Sequence, residues 1–79
     1  MNTKEEMLVI FMEECAEASV EASKIMRFDK GYDLLESEIG DIMCMIKLLA
    51  EQKLIDMDSV ELCADAKRRK LKTWSNLPV

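Results

Sequence analysis

The chain has 79 residues, 11 basic against 16 acidic side chains for a formal net charge of −5, 49% hydrophobic residues, three cysteines and no histidine. That length allows one domain, here 1–79, and a domain so small buries only about 60% of the surface its unfolded form exposes, so completion of the core by another copy is expected. The acidic balance disfavours a general nucleic-acid or anionic-membrane binder. No run approaches the roughly 18 uninterrupted apolar residues of a membrane span, and Met1–Glu6 is too charged to open a signal peptide.

Thr3-Lys4-Glu5-Glu6 reads as a capping box at a helix start, and the apolar spacing predicts a first helix over about 4–27. With Glu14 as zero on a wheel of about 100° per residue, Met7, Phe11, Cys15, Ala18, Ala22 and Ile25 centre near +50° and Glu17 falls near −60°. Glu14, Glu17, Glu21 and Lys24 follow at offsets of about three to four residues. This is an ionisable stripe beside the apolar one. A solvated face with an ion-pair ladder explains such a stripe equally well.

Phe28-Asp29-Lys30-Gly31-Tyr32 breaks the pattern, with Gly31 as the expected turn residue, and Asp33-Leu34-Leu35-Glu36 reads as a second capping box. So short a connection favours an antiparallel hairpin. The second helix should reach about Gln52. Within it Leu35, Ile39, Ile42, Ile46 and Leu49 form the apolar arc, yet Glu38 lies inside that arc and Asp41 on its edge. Burying an ionised carboxylate without a partner is costly, so the pair must be neutralised, turned outward or matched to a cation. Glu14-x-x-Glu17 has the same offset and the same lie against its own stripe. If the two helices pack antiparallel through these stripes the four carboxylates converge, and converging carboxylates suit a hard divalent cation such as Mg²⁺ or Mn²⁺.

Leu54–Met57 is a short connector, and Asp58-Ser59-Val60-Glu61 opens a third helix with the same box geometry. Val60, Cys63, Ala64, Leu71 and Trp74 share its apolar side, with Lys67 in the middle and Lys70 at the border. Snorkelling is the default for such a lysine, although it could also bring an ammonium to an anionic site. Arg68, Arg69 and Lys72 point elsewhere, and Pro78 ends helical geometry in the tail. Met43, Met45 and Met57 read as adaptable core filling, and Cys15, Cys44 and Cys63 as reduced, mostly core residues of a cytoplasmic protein. The fold class expected is all-α: three helices with an antiparallel hairpin, completing a four-helix-type bundle by homodimer or homotetramer formation.

Glu14-x-x-Glu17 followed after a short turn by Glu38-x-x-Asp41 resembles the ExxE…ExxD pattern of the MazG-like all-α nucleotide pyrophosphohydrolases. The surrounding Glu13-Glu14-Cys15-Ala16-Glu17, Ser23-Lys24, Glu38-Ile39-Gly40-Asp41-Ile42 and the late Lys70–Leu77 segment are similar to short phage-encoded members. The resemblance covers nearly the whole chain, and this chain is compact even for that family. It implies Mg²⁺ held by Glu14, Glu17, Glu38 and Asp41, and hydrolysis of a nucleoside triphosphate to the monophosphate and pyrophosphate. It also implies dimers or dimers of dimers. Glu13, Glu21 or one of the four acids would take the proton from water. Lys24, Arg27, Lys67 and Lys70 are the cations available for the phosphates, and Phe28, Tyr32 or Trp74 for stacking on a base. A di-iron carboxylate bundle is disfavoured because its Glu-x-x-His motif needs histidine. A phosphoribosyl-ATP pyrophosphohydrolase-like enzyme and a non-enzymatic, dimerising helical adaptor or regulatory protein remain as alternatives.

Overall fold

A computed structural model describes residues 1–79 as three α-helices and no strand: α1 (Thr3–Phe28), α2 (Asp33–Glu51) and α3 (Met57–Trp74). No helix is long and apolar enough to cross a membrane. All three expected helices form, but their caps differ from the sequence expectation. Asn2, not Thr3, is the N-cap of α1: its side chain accepts from the Glu5 N–H at 2.8 Å and Glu5 Oε1 accepts from the Asn2 N–H at 3.2 Å. The capping box is thus one residue earlier, consistent with asparagine outranking threonine as a cap. Tyr32 precedes α2 without any side-chain cap, so the expected Asp33–Glu36 box does not form. Asp56 caps α3 by accepting from the Asp58 N–H at 2.9 Å, two residues ahead of the expected Asp58 start.

The ends of α1 and α2 are closed by left-handed residues that are not glycine. Asp29 (φ 51°) ends α1, its N–H donating to the Ile25 carbonyl, whereas Gly31, the expected turn residue, keeps an ordinary φ. Aspartate tolerates this region better than most side chains because its short polar group can bond locally. Lys53 (φ 59°) follows α2, and its N–H and that of Leu54 donate to the carbonyls of Ala50 and Leu49. Those two bonds are the Schellman closure, which turns the chain out of α2 and into the connector.

Packing between elements is almost wholly that of α1 against α2. The molecule measures 40 × 30 × 17 Å. Its longest dimension is close to the roughly 39 Å that 26 residues of helix span, and its shortest admits a single layer of helices. Only Met45 and Leu49, both on α2, are buried. Several residues expected in the core are therefore at the surface: Met43 is 47% and Met57 38% exposed, Cys44 and Cys63 are exposed, and Cys15 is half-buried. The reason is α3, which covers neither helix and leaves its own apolar side open.

Candidate metal centre

The α1–α2 packing brings Glu14, Glu17 and Glu38 together, with one carboxylate oxygen of each lying within 4.8 Å of the others. Glu14 and Glu17 are one turn apart on α1, and Glu38 approaches from α2 on the same arc as Leu35, Ile42 and Leu49. Glu14 and Glu38 are half-buried and Glu17 is exposed. One oxygen of each half-buried acid, Oε2 of Glu14 and Oε2 of Glu38, is shut off from water and meets no hydrogen-bond donor.

Charge explains what these acids do next. Glu38 is pushed up to about 7, first by desolvation and then by a side-chain hydrogen bond to Glu17 and the charges of Glu17, Asp41 and Glu14. Glu14 is also raised, first by desolvation and then by the charges of Glu17 and Asp41. Partial burial first, and the neighbouring negative charges second, thus favour the protonated form of Glu38 and Glu14. Hard divalent cations prefer oxygen donors, so Glu14, Glu17 and Glu38, two of which carry an unpartnered buried oxygen, are the residues that could hold one. Asp41 is exposed and is not among the three acids whose oxygens meet, yet it raises Glu14 through its charge and a side-chain hydrogen bond, and Glu38 through its charge.

No side-chain cation neutralises the cluster. The single ion pair of the structure joins Lys24 Nζ to Glu21 Oε1 at 3.4 Å, along α1 and beside the acids. Arg27 is turned over the Phe28 ring, with Cζ 5.0 Å from the centroid. Lys67, Lys70 and Trp74 ride on α3, and within one chain the structure does not bring them to Glu14, Glu17 and Glu38. Trp74 is 82% exposed, and Phe28 and Tyr32 are also mostly exposed. The two surface concavities lie elsewhere, at the α2–α3 corner around Leu54 and Ile55 and on the outside of α2 around Met43 and Lys47. The spacing predicts the convergence of Glu14, Glu17 and Glu38 but not that Asp41 falls outside the closest three. Comparison with family models, curated proteins and solved structures finds no match for this chain.

Proposed function

We propose that this protein is a Mg²⁺-dependent nucleoside triphosphate pyrophosphohydrolase, accepting Mn²⁺ as well, which converts a (d)NTP and water to the (d)NMP and pyrophosphate. The observation that carries the reading is the pair of water-excluded, donor-free oxygens on Glu14 and Glu38 beside Glu17. A merely solvated acidic stripe gives no reason to hold Glu38 among Leu35, Ile42 and Leu49. The ExxE…ExxD resemblance supplies the substrate class, and the absence of histidine supports a redox-silent ion.

Glu14, Glu17 and Glu38 would hold the ion, with Asp41 at its margin. Held there, Mg²⁺ would supply charge to offset the triphosphate and to polarise the phosphoryl oxygen. Water adds across the α–β bridge, its proton passing to a carboxylate that is not engaged and then to the leaving pyrophosphate. Lys24 lies near enough along α1 to serve the phosphates once released from Glu21. The α3 cations Lys67 and Lys70 reach a site only if chains assemble, so the working form is a homodimer or homotetramer in the cytoplasm. In it the antiparallel α1–α2 hairpin becomes half of a helical bundle.

The test is a panel of ribo- and deoxyribonucleoside triphosphates scored separately for pyrophosphate and orthophosphate, with and without Mg²⁺. Metal-dependent pyrophosphate release, reduced by orders of magnitude in Glu38→Gln, is the expected result. Orthophosphate as the product, or no turnover of any triphosphate, contradicts the reading. The large uncovered apolar surface alone would equally suit a dimerising adaptor. An adaptor, however, leaves the two orphaned carboxylate oxygens without a role.

A further inference from the structure

The second half of α3 has a charge that the rest of the chain does not share. All 16 acids lie at or before Asp65, and from Ala66 onward come five of the 11 basic residues and no acid. The formal −5 of the whole chain therefore averages a strongly acidic body with a basic helix end. Lys67, Arg68, Arg69, Lys70 and Lys72 are all exposed. None of them is paired: the single ion pair is on α1, although Asp65 stands one turn before Arg68 and Arg69. The C-terminal end of a helix dipole amounts to roughly half a negative charge, which accounts for one cation and not for this many.

We infer that the end of α3 is a docking site for a single-stranded nucleic acid, whose phosphates meet the basic run Lys67–Lys72 and one of whose unpaired bases stacks on Trp74.

The arrangement of the cations selects this partner. With Lys67 as zero on the wheel, Arg68, Lys72, Arg69 and Lys70 fall near about 100°, 140°, 200° and 300°, so the cations encircle the helix over roughly 7.5 Å of its length. A helix that lies on a membrane keeps an apolar face free of charge, whereas Leu71 and Trp74 each stand between two cations on the wheel, which sets an anionic bilayer aside. An acidic protein surface reaches one side of the helix and leaves the opposite cations in water. A flexible polyanion bends around the helix and reaches all of them. Trp74 is 82% exposed and is the one tryptophan of the chain. A bare indole flanked by lysines gives a base a ring to stack on and its phosphates partners beside it. A duplex keeps its bases paired and out of reach of that ring. The acids of α1 and α2 do not cancel the attraction, because α3 hardly packs on those helices and charges farther off than about 8 Å are largely screened at physiological ionic strength. The site lies outside the carboxylate cluster and its ligand is a polymer, so the inference goes beyond the proposed function and does not depend on it. Lys67 and Lys70 are shared with the phosphate role proposed above, but Arg68, Arg69 and Lys72 are not.

Titration of the full chain, without Mg²⁺, with an oligothymidylate of about 16 nucleotides, read by Trp74 fluorescence, tests it. The strand should quench Trp74, and log K should fall against log salt with a slope of about −3.5, or about −0.7 for each phosphate neutralised. The triple variant Arg68→Ala, Arg69→Ala, Lys72→Ala should bind at least about tenfold more weakly, with the slope reduced to about −1.4 and helical circular dichroism retained. The wild-type quenching and slope keep the test decisive should the variant not fold. The same strand annealed to its complement should leave Trp74 unquenched, and polyglutamate and phosphatidylserine vesicles should bind more weakly than the single strand. No quenching by the strand, a flat salt dependence or unchanged affinity in the variant would overturn the inference. Quenching by the duplex, or tighter binding of polyglutamate or vesicles, would overturn it too and assign the helix end to a duplex, an acidic protein or a membrane.

Discussion

The α1–α2 pair and α3 solve the problem of an amphipathic helix in opposite ways. The pair packs on itself, buries Met45 and Leu49, and accepts three carboxylates at one place along its shared face. By contrast α3 packs on almost nothing and leaves Val60, Leu62 and Trp74 exposed, with Lys67 among them. Charge divides the same way. Lys67, Arg68, Arg69, Lys70 and Lys72 crowd the second half of α3, while most of the acids lie on α1 and α2. A helical chain can thus form every helix its sequence encodes and still leave one of them almost unpacked within the chain.

The largest expected effect that sharpens this contrast comes from truncating each region. Leu49, 5% exposed, is one of the two buried residues, so Leu49→Ala should cost about 2–5 kcal/mol. Leu62, 69% exposed on α3, should cost less than about 0.5 kcal/mol when changed to alanine. Urea unfolding of both variants checks the difference, and equal losses would show that α3 folds back on the pair.

A pH titration of stability, metal-free, probes the carboxylates next. Glu38 is raised from 4.5 to about 7 in the folded chain, and Glu14 is raised as well, so the folded state binds more protons than the unfolded state in that window. Stability must then fall as pH rises from about 4.5 to about 7, the reverse of a salt-bridged acid. Thermal melts across that range should show the decline, and Glu38→Gln should flatten it. A stability that climbs over the same interval would mean that these acids are paired with cations.

A smaller effect separates the caps. Asn2→Ala should destabilise α1 by about 1 kcal/mol, and Thr3→Ala by clearly less, since only Asn2 accepts an amide hydrogen bond. Amide exchange at Glu5 in the two variants measures it. Similar protection in both would restore Thr3 as the cap.

The sequence made the three helices legible because each carries a sustained apolar period, which packing did not override. It made the cluster of Glu14, Glu17 and Glu38 legible because a carboxylate inside an apolar arc needs an explanation. The caps were misread by one or two residues because Asn2/Glu5 and Thr3/Glu6 are overlapping boxes of the same form, and Asp56 and Asp58 compete for the start of α3. Asp41 could not be separated from its three companions by spacing, since a rotation of α2 by a fraction of a turn decides which oxygens meet. For α3, periodicity marks an apolar face without naming what covers it, so Met57, Cys63 and Trp74 looked like core residues and stand in solvent.

Under the proposed function the Glu14, Glu17 and Glu38 cluster would bind a divalent cation and be strained without one. The most direct test is the melting temperature of the wild type and Glu38→Gln across a Mg²⁺ titration near neutral pH. Binding to the folded state alone at a hundredfold excess over Kd adds about 2.7 kcal/mol, or roughly 10–20 °C for a domain of this size. The wild type should rise by that order, while Glu38→Gln should melt no lower than the wild type without metal and gain much less from Mg²⁺. A wild type indifferent to Mg²⁺, or a Glu38→Gln variant that is destabilised without metal, would contradict the account.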